Sequence, residues 1–148
     1  MIGFSEGFHD AAVTVINDGR IDFATHAERY SKKKHDKNLG SLLASVAQDY
    51  TDDSKIAFFE RPLLKKTRQF VAGQYKTVFR RRELAYRPTH YFGHHLSHAA
   101  AAFQTSPFND AAIVVVDSIG EWDTASIWKA RYQDDGTAGY WKWWSMRY

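Results

Sequence analysis

Residues 94–121 read HHLSHAAAAFQTSPFNDAAIVVVDSIGE. The first ten have the composition of a helix, with four consecutive alanines after His98, and alanine is the strongest helix former. His94 and His98 stand four apart, so on a helix both imidazoles leave the same face. The apolar run at 111–116, AAIVVV, reads as a buried strand that Asp117 ends, with 117–123 (DSIGEWD) as a loop. A carboxylate at the end of a buried strand, beside two helical imidazoles, makes a sensible site for a divalent metal. His95 could serve in place of His94, although the spacing of four gives the cleaner common face. Histidines at this spacing also occur in ordinary amphipathic helices, and an Asp after a strand is often only a turn residue. Spacing alone leaves both readings open.

Upstream of this stretch, 89–92 (THYF) is a short strand feeding the helix, and Pro88 closes an ambiguous segment at 77–87. Residues 63–75 (LLKKTRQFVAGQY) read as a helix after Pro62, and 55–60 (KIAFFE) as a buried strand. Leu42, Leu43, Val46 and Ala47 stand at helical spacing in 40–50, with Ser41 as the N-cap. Residues 29–38 (RYSKKKHDKN) show no apolar periodicity and read as an exposed basic loop carrying Lys32, Lys33 and Lys34. At the start of the chain, 1–6, 11–17 and 20–28 are three strands, the last two joined by the turn pair Asp18-Gly19. The loop between the first two carries Gly7, His9 and Asp10. Gly7 permits a close turn, while His9 and Asp10 could offer an acid/base group and a carboxylate, or only an exposed ring and a turn cap. Downstream, 124–132 and 140–148 are strands joined by the turn QDDG at 133–136, and Trp141, Trp143 and Trp144 load the last of them.

The chain has 148 residues, 44% of them hydrophobic and 16% aromatic, enough to pack one core of domain size. The N-terminus lacks the basic and apolar regions of a signal peptide and no run of about 18 apolar residues occurs, so the expected location is cytoplasmic, with no membrane partner. Cysteine is absent, which excludes disulfides and thiolate ligands. Eight basic residues and no acidic one lie within 61–82, a charge pattern that suits phosphate-bearing ligands or a solvated surface equally. No nucleic-acid reader motif accompanies it, so a nucleic-acid partner is not expected.

The element order is β-β-β-α-β-α-β-α through Phe103, followed by a second β-rich segment. This is the order of an α/β fold comprising the first half of an actin/hexokinase-like (ribonuclease H-like) architecture plus the opening β-hairpin of the second half. The division expected from chain order is 1–106 for the first subdomain and 107–148 for the start of a truncated second one.

Four linked motifs carry a resemblance: GFHDAAVTVINDGRI, HAERYSKKKHD, HHLSHAAAAF and SPFNDAAIVVVDSIGEW. In this order they resemble the N-terminal part of the NodU/CmcH-type O-carbamoyltransferases, over residues 2–128. The resemblance implies an actin-like domain similar to the universal tRNA threonylcarbamoyl-transfer protein. It also implies a separate YrdC-like domain that makes carbamoyl-adenylate from carbamoyl phosphate and ATP. The actin-like domain would then pass the carbamoyl group to the hydroxyl of a small-molecule acceptor. By motif, His94, His98 and Asp117 correspond to ligands of iron or a similar divalent ion, so the resemblance implies Fe(II) first; the donor set itself suits Fe(II), Mn(II), Zn(II) or Ni(II). His9 corresponds to a site histidine, with Asp10 beside it as a second candidate base. Ser118 and Gly120 fall where a phosphate-contacting turn belongs, and Lys32 is a further phosphate candidate. Asp117-Ser118 departs from the family's Asp-Gly. The resemblance further implies a piece of a longer enzyme, whose remaining actin-like half and YrdC-like domain would come from a C-terminal region or a partner chain. A non-catalytic nucleotide- or metal-binding remnant is the alternative.

Overall fold

Ile2 and Phe4 in one segment, and Val13 and Val15 in the next, alternate with less buried neighbours, the period-2 pattern of strands with one face on a core. In the computed structural model, which describes residues 1–7, 10–50, 55–78 and 84–147, these segments are β1 (Ile2–Ser5) and β2 (Ala12–Asn17). Strand β3 (Arg20–His26) follows across the Asp18-Gly19 turn, whose two residues take φ of 46° and 74°, as a two-residue hairpin demands. Strands β4 (Ile56–Phe58) and β5 (His90–Tyr91) complete a mixed sheet of order β3-β2-β1-β4-β5. The first three strands are antiparallel, and β4 and β5 run parallel to β1.

Strand β3 stops two residues short of the expected end because Glu28 opens a helical turn, α1 (Glu28–Ser31). The basic segment is therefore not wholly loop. Lys32 closes the turn in the left-handed conformation, φ 59°, with its N–H donating to the Glu28 carbonyl. Helix α2 (Gly40–Gln48) lays Leu43 and Ala47, one turn apart, on the sheet, whereas Leu42 is 66% exposed. Ser41 lies inside this helix and is not its cap; Leu39 precedes the first turn, and its N–H donates to Glu6 Oε1 at 2.7 Å.

Glu6 is buried at the end of β1, and its other carboxylate oxygen accepts the Ala85 N–H at 2.7 Å. One carboxylate thus serves two backbone donors from distant parts of the chain. Tyr86, next to Ala85, donates its hydroxyl to the Ala44 carbonyl at 2.6 Å. Burial, and then the charge of Glu6, push this phenol up to about 12, which keeps it a neutral donor at ordinary pH.

Contacts divide the chain into two compact units, Met1–Phe59 with Phe79–Tyr91 and Glu60–Val78 with Phe92–Tyr148. The second contains α3 (Pro62–Val71), α4 (Tyr75–Val78), α5 (His94–Gln104) and an antiparallel sheet of order β6-β7-β8, with β6 (Asp110–Gly120), β7 (Asp123–Tyr132) and β8 (Ala138–Arg147). Helix α3 ends at Val71 instead of running to Tyr75. Gly73 takes φ 72°, and the Gly73 and Gln74 N–H groups turn back to the Phe70 and Gln69 carbonyls, a glycine stop of the left-handed kind. Ala99 and Phe103 of α5 pack on Ile113 and Val115 of β6 and on Trp128 and Ala130 of β7.

Strand β6 departs from its expected reading in two ways. It continues past Asp117 to Gly120, so the hairpin turn is only Glu121-Trp122. Only one of its faces is covered: Val114 and Val116 are 68% and 78% exposed. Among the described residues no helix is long and apolar enough to cross a membrane.

Removing the Glu6 carboxylate leaves two backbone N–H groups without their acceptor. Glu6→Ala is expected to lower unfolding free energy by about 3 kcal/mol, and Glu6→Gln, which retains one acceptor oxygen, by less. Urea unfolding followed by circular dichroism checks this; equal midpoints for wild type and Glu6→Ala would remove Glu6 from its structural role.

Candidate metal centre

Helix α5 starts from an extended Gly93, with no side-chain cap. The Ser97 N–H and hydroxyl both donate to the Gly93 carbonyl, at 2.9 and 3.1 Å. This first turn sets His94 and His98 one above the other, with ring centroids 4.8 Å apart. Strand β6 supplies Asp117 at the point where its ladder with β7 is interrupted, between Val116 and Gly120. That interruption frees the strand from strict pleating, and the Asp117 carboxylate meets the imidazoles.

The distances are those of a chelating cluster. His94 Nε2 lies 2.7 Å from Asp117 Oδ2, and His98 Nε2 lies 3.8 Å from the same oxygen. The two Nε2 atoms are 3.1 Å apart, and one donor atom from each residue falls within 4.8 Å of the others. Donors about 2.0–2.2 Å from a common ion stand roughly 3 Å from one another, so two imidazoles and a carboxylate here fit a divalent cation. His94 is largely buried and His98 half exposed, which leaves one side of the cluster open to solvent.

The electrostatics favour the ligand forms. Burial pushes the His94 imidazole below its ordinary value; His98 acts in the same direction, and Asp117 opposes. For Asp117, burial alone would raise the carboxyl, but the Ser118 N–H at 2.6 Å and the charges of His94 and His98 outweigh it and hold it below the ordinary carboxylate value. A neutral imidazole and an ionised carboxylate are the forms that bind metal.

His95 takes no part in the cluster. It is 3% exposed and points to β7, where Nδ1 meets Ser126 Oγ at 2.7 Å. Gly120 is buried against two rings: a Cβ there would stand 2.6 Å from His94 Cδ2 and 2.5 Å from His95 Cδ2. Ser118 is exposed, and its N–H is directed to Asp117. Glu121, at φ 60°, accepts the Arg61 N–H at 2.6 Å. Asp10 and Lys32 belong to the first unit. Asp10 takes φ 51° and meets His35 Nδ1 at 2.9 Å, while Lys32 caps α1 and is exposed. His9 lies outside the described residues.

Ser126 and Glu121 were not among the site residues expected from sequence, and His95 was weighed only as a substitute ligand for His94. Ser126 did carry a signal, since it keeps step with Trp128 and Ala130 on the buried face of β7, and a polar residue in that phase needs a partner. Nothing local marks Glu121 as the acceptor of a backbone donor sixty positions away.

The family model for the carbamoyltransferase N-terminus matches residues 44–140. The chain belongs to this family. The matched segment holds all three cluster residues. The uncharacterized protein sll1178 of Synechocystis is 30% identical over 167 aligned positions, which cover 88% of this chain and 27% of that protein. The nodulation protein NolNO of Sinorhizobium fredii is 25% identical over 136 positions, covering 77% of this chain and 20% of that protein. The chain thus spans between a fifth and about a quarter of the length of these two curated relatives.

Burial lowers both His94 and His95, so the unfolded chain takes up protons before the folded one does. The stability they contribute is fully present above the unfolded imidazole value of about 6.5 and is lost as pH falls below it. The thermal midpoint of the metal-free chain is expected to hold steady from pH 8 to 7 and to decline from about 6.5 toward 5. His95→Asn should make that decline shallower. A wild-type midpoint flat down to pH 5 would contradict the assignment.

Proposed function

We propose that this chain is the N-terminal part of a carbamoyltransferase that moves a carbamoyl group from carbamoyl-adenylate to an acceptor hydroxyl. The observation that carries the reading is the convergence of His94, His98 and Asp117, within 4.8 Å, inside the segment that matches the carbamoyltransferase N-terminus. In this reading the α/β fold is the first half of an actin-like architecture with the opening hairpin of the second. The strand order β3-β2-β1-β4-β5, three antiparallel strands followed by two parallel ones, supports it. Carbamoyl phosphate and ATP would be the sources of the adenylate, and the YrdC-like domain that makes it would lie elsewhere in a longer protein or in a partner chain.

The chemistry asked of the site is displacement at a mixed anhydride. The acceptor oxygen attacks the carbamoyl carbon and loses its proton to a base; AMP leaves with the electrons of the bond that breaks. His94, His98 and Asp117 would hold a divalent ion, Fe(II) first among the candidates, which supplies charge neutralisation at the departing phosphate. The half-exposed His98 leaves the open side that phosphate oxygens need. His9 is proposed as the first-ranked site residue of the opening loop, as base or as donor to the carbamoyl oxygen, with Asp10 as the second candidate base. Lys32, Ser118 and Gly120 are proposed on the nucleotide side; at Gly120 the role would fall to the backbone.

Metal analysis of the purified chain beside a His94→Ala/His98→Ala double variant, with AMP and ATP binding measured on both, tests the reading. Stoichiometric Fe(II), or another divalent ion after reconstitution, is expected in the wild type and not in the variant, with AMP binding strengthened by the metal. A folded wild type that takes up neither metal nor nucleotide would argue for a remnant without catalysis.

A further inference from the structure

His95 is the histidine of the HHLSH turn that the cluster leaves unused, yet it is the most deeply buried of the three. Its surroundings show a purpose. Ser126 Oγ, fully buried on β7, lies 2.7 Å from His95 Nδ1 and accepts the Trp128 Nε1–H, also at 2.7 Å. An indole N–H can only donate. With that bond received, the serine still has its own proton to place, and the imidazole nitrogen in reach is His95 Nδ1. Ser126 donating to Nδ1, with His95 carrying its proton on Nε2, gives both the indole N–H and the serine hydroxyl a partner.

On its other edge the ring is closed in by β6. Nε2 is buried with no protein partner among the described residues, 2.9 Å from where a Cβ on Gly120 would stand. The same point is 2.6 Å from His94 Cδ2, so the bare Gly120 backbone fills a notch between the two imidazoles. His95 is therefore fixed to β7 on one side and stopped by β6 on the other. Because His94 and His95 are consecutive on one helical turn, any rotation of α5 that carries His94 away from Asp117 also breaks the Ser126 bond or drives a ring into Gly120.

We propose that Ser126 and Gly120, acting through His95, are positioning residues of the His94–His98–Asp117 centre, fixing the rotation of α5 at which both imidazoles face the carboxylate. This rests on the metal reading given above, and the test separates the two. Co(II) is the probe, because its visible absorption reports coordination geometry independently of catalysis. Its affinity is measured by competition with a chelator on the whole chain, wild type and variants, with circular dichroism confirming that each is folded.

Ser126→Ala is expected to weaken Co(II) binding about tenfold, and Gly120→Ala about 10–100-fold, the range seen when supporting residues around metal ligands are removed. The visible bands should change in both. His95→Leu should behave like Ser126→Ala, whereas His95→Asn, whose amide reaches the Nδ1 position, should retain more of the affinity. Should Gly120→Ala fail to fold, the serine and His95 variants decide the matter. Wild-type affinity and unaltered bands in folded Ser126→Ala and His95→Leu would overturn the inference while leaving the metal reading in place. A wild-type chain that binds no Co(II) would overturn both.

Discussion

The second unit depends on how closely the end of β6 approaches the first turn of α5. Gly120 has no side chain, and the space a Cβ would need is already filled by two imidazole rings. That approach brings the interrupted stretch of β6 against the helix, so Asp117 can reach His94 at 2.7 Å. The helix lacks a capping side chain, and its position comes from packing instead: Ala99 and Phe103 lie on the sheet, and His95 is tied to Ser126. Two imidazoles and a carboxylate held this close present a donor set of the kind a divalent cation takes.

The first unit relies on a buried carboxylate in a comparable way. Glu6 accepts backbone N–H groups from residues 39 and 85, one next to the start of α2 and the other beside the buried Tyr86. Around it, the loop after β1 is bonded to the segment before α2: the Gly7 and Ala11 N–H groups donate to the Lys37 and Asp36 carbonyls, each at 2.7 Å. The Asp10–His35 pair lies at the same junction, with both residues at positive φ. In each unit polar side chains take over the work of fixing loops, where apolar contacts alone would leave the backbone donors unpaired.

Much of this was legible in the sequence for simple reasons. The first three strands were read from the sequence, the Asp18-Gly19 pair located the hairpin, and the spacing of His94 and His98 fixed a common helix face. The readings that moved did so where a tertiary partner outranked a local rule. Ser41 gave way as a cap because it lies inside α2, after Gly40 in the left-handed conformation and with Glu6 holding the Leu39 N–H. The helix expected to reach Tyr75 stopped at Val71 because Gly73 adopts the left-handed conformation. The run AAIVVV suggested burial on both faces, but only Ile113 and Val115 meet the α5 core. Spacing favoured His94 over His95, and the cluster contains His94, but what His95 does instead was not legible. That turns on the direction of its ring, which depends on a serine thirty-one positions later.

The interleaving of the two units carries a consequence for how the chain acquires its structure. The path runs through the first unit to Phe59, crosses to the second for residues 60–78, returns for 79–91 and ends in the second. Strand β5 lies at the edge of the first sheet, and Ala85, which completes the pairing of Glu6, is in the returning segment. The second sheet is a contiguous stretch of chain, from Asp110 to Arg147, whereas the first is not. The β1–β2–β3 meander of the first is local, but its completion by β4 and β5 must wait until residue 91 is available, and loop closure over such separations is slow. During that interval the edge of β1 that takes β4 stands open, the state in which a nascent chain depends most on protection from other chains.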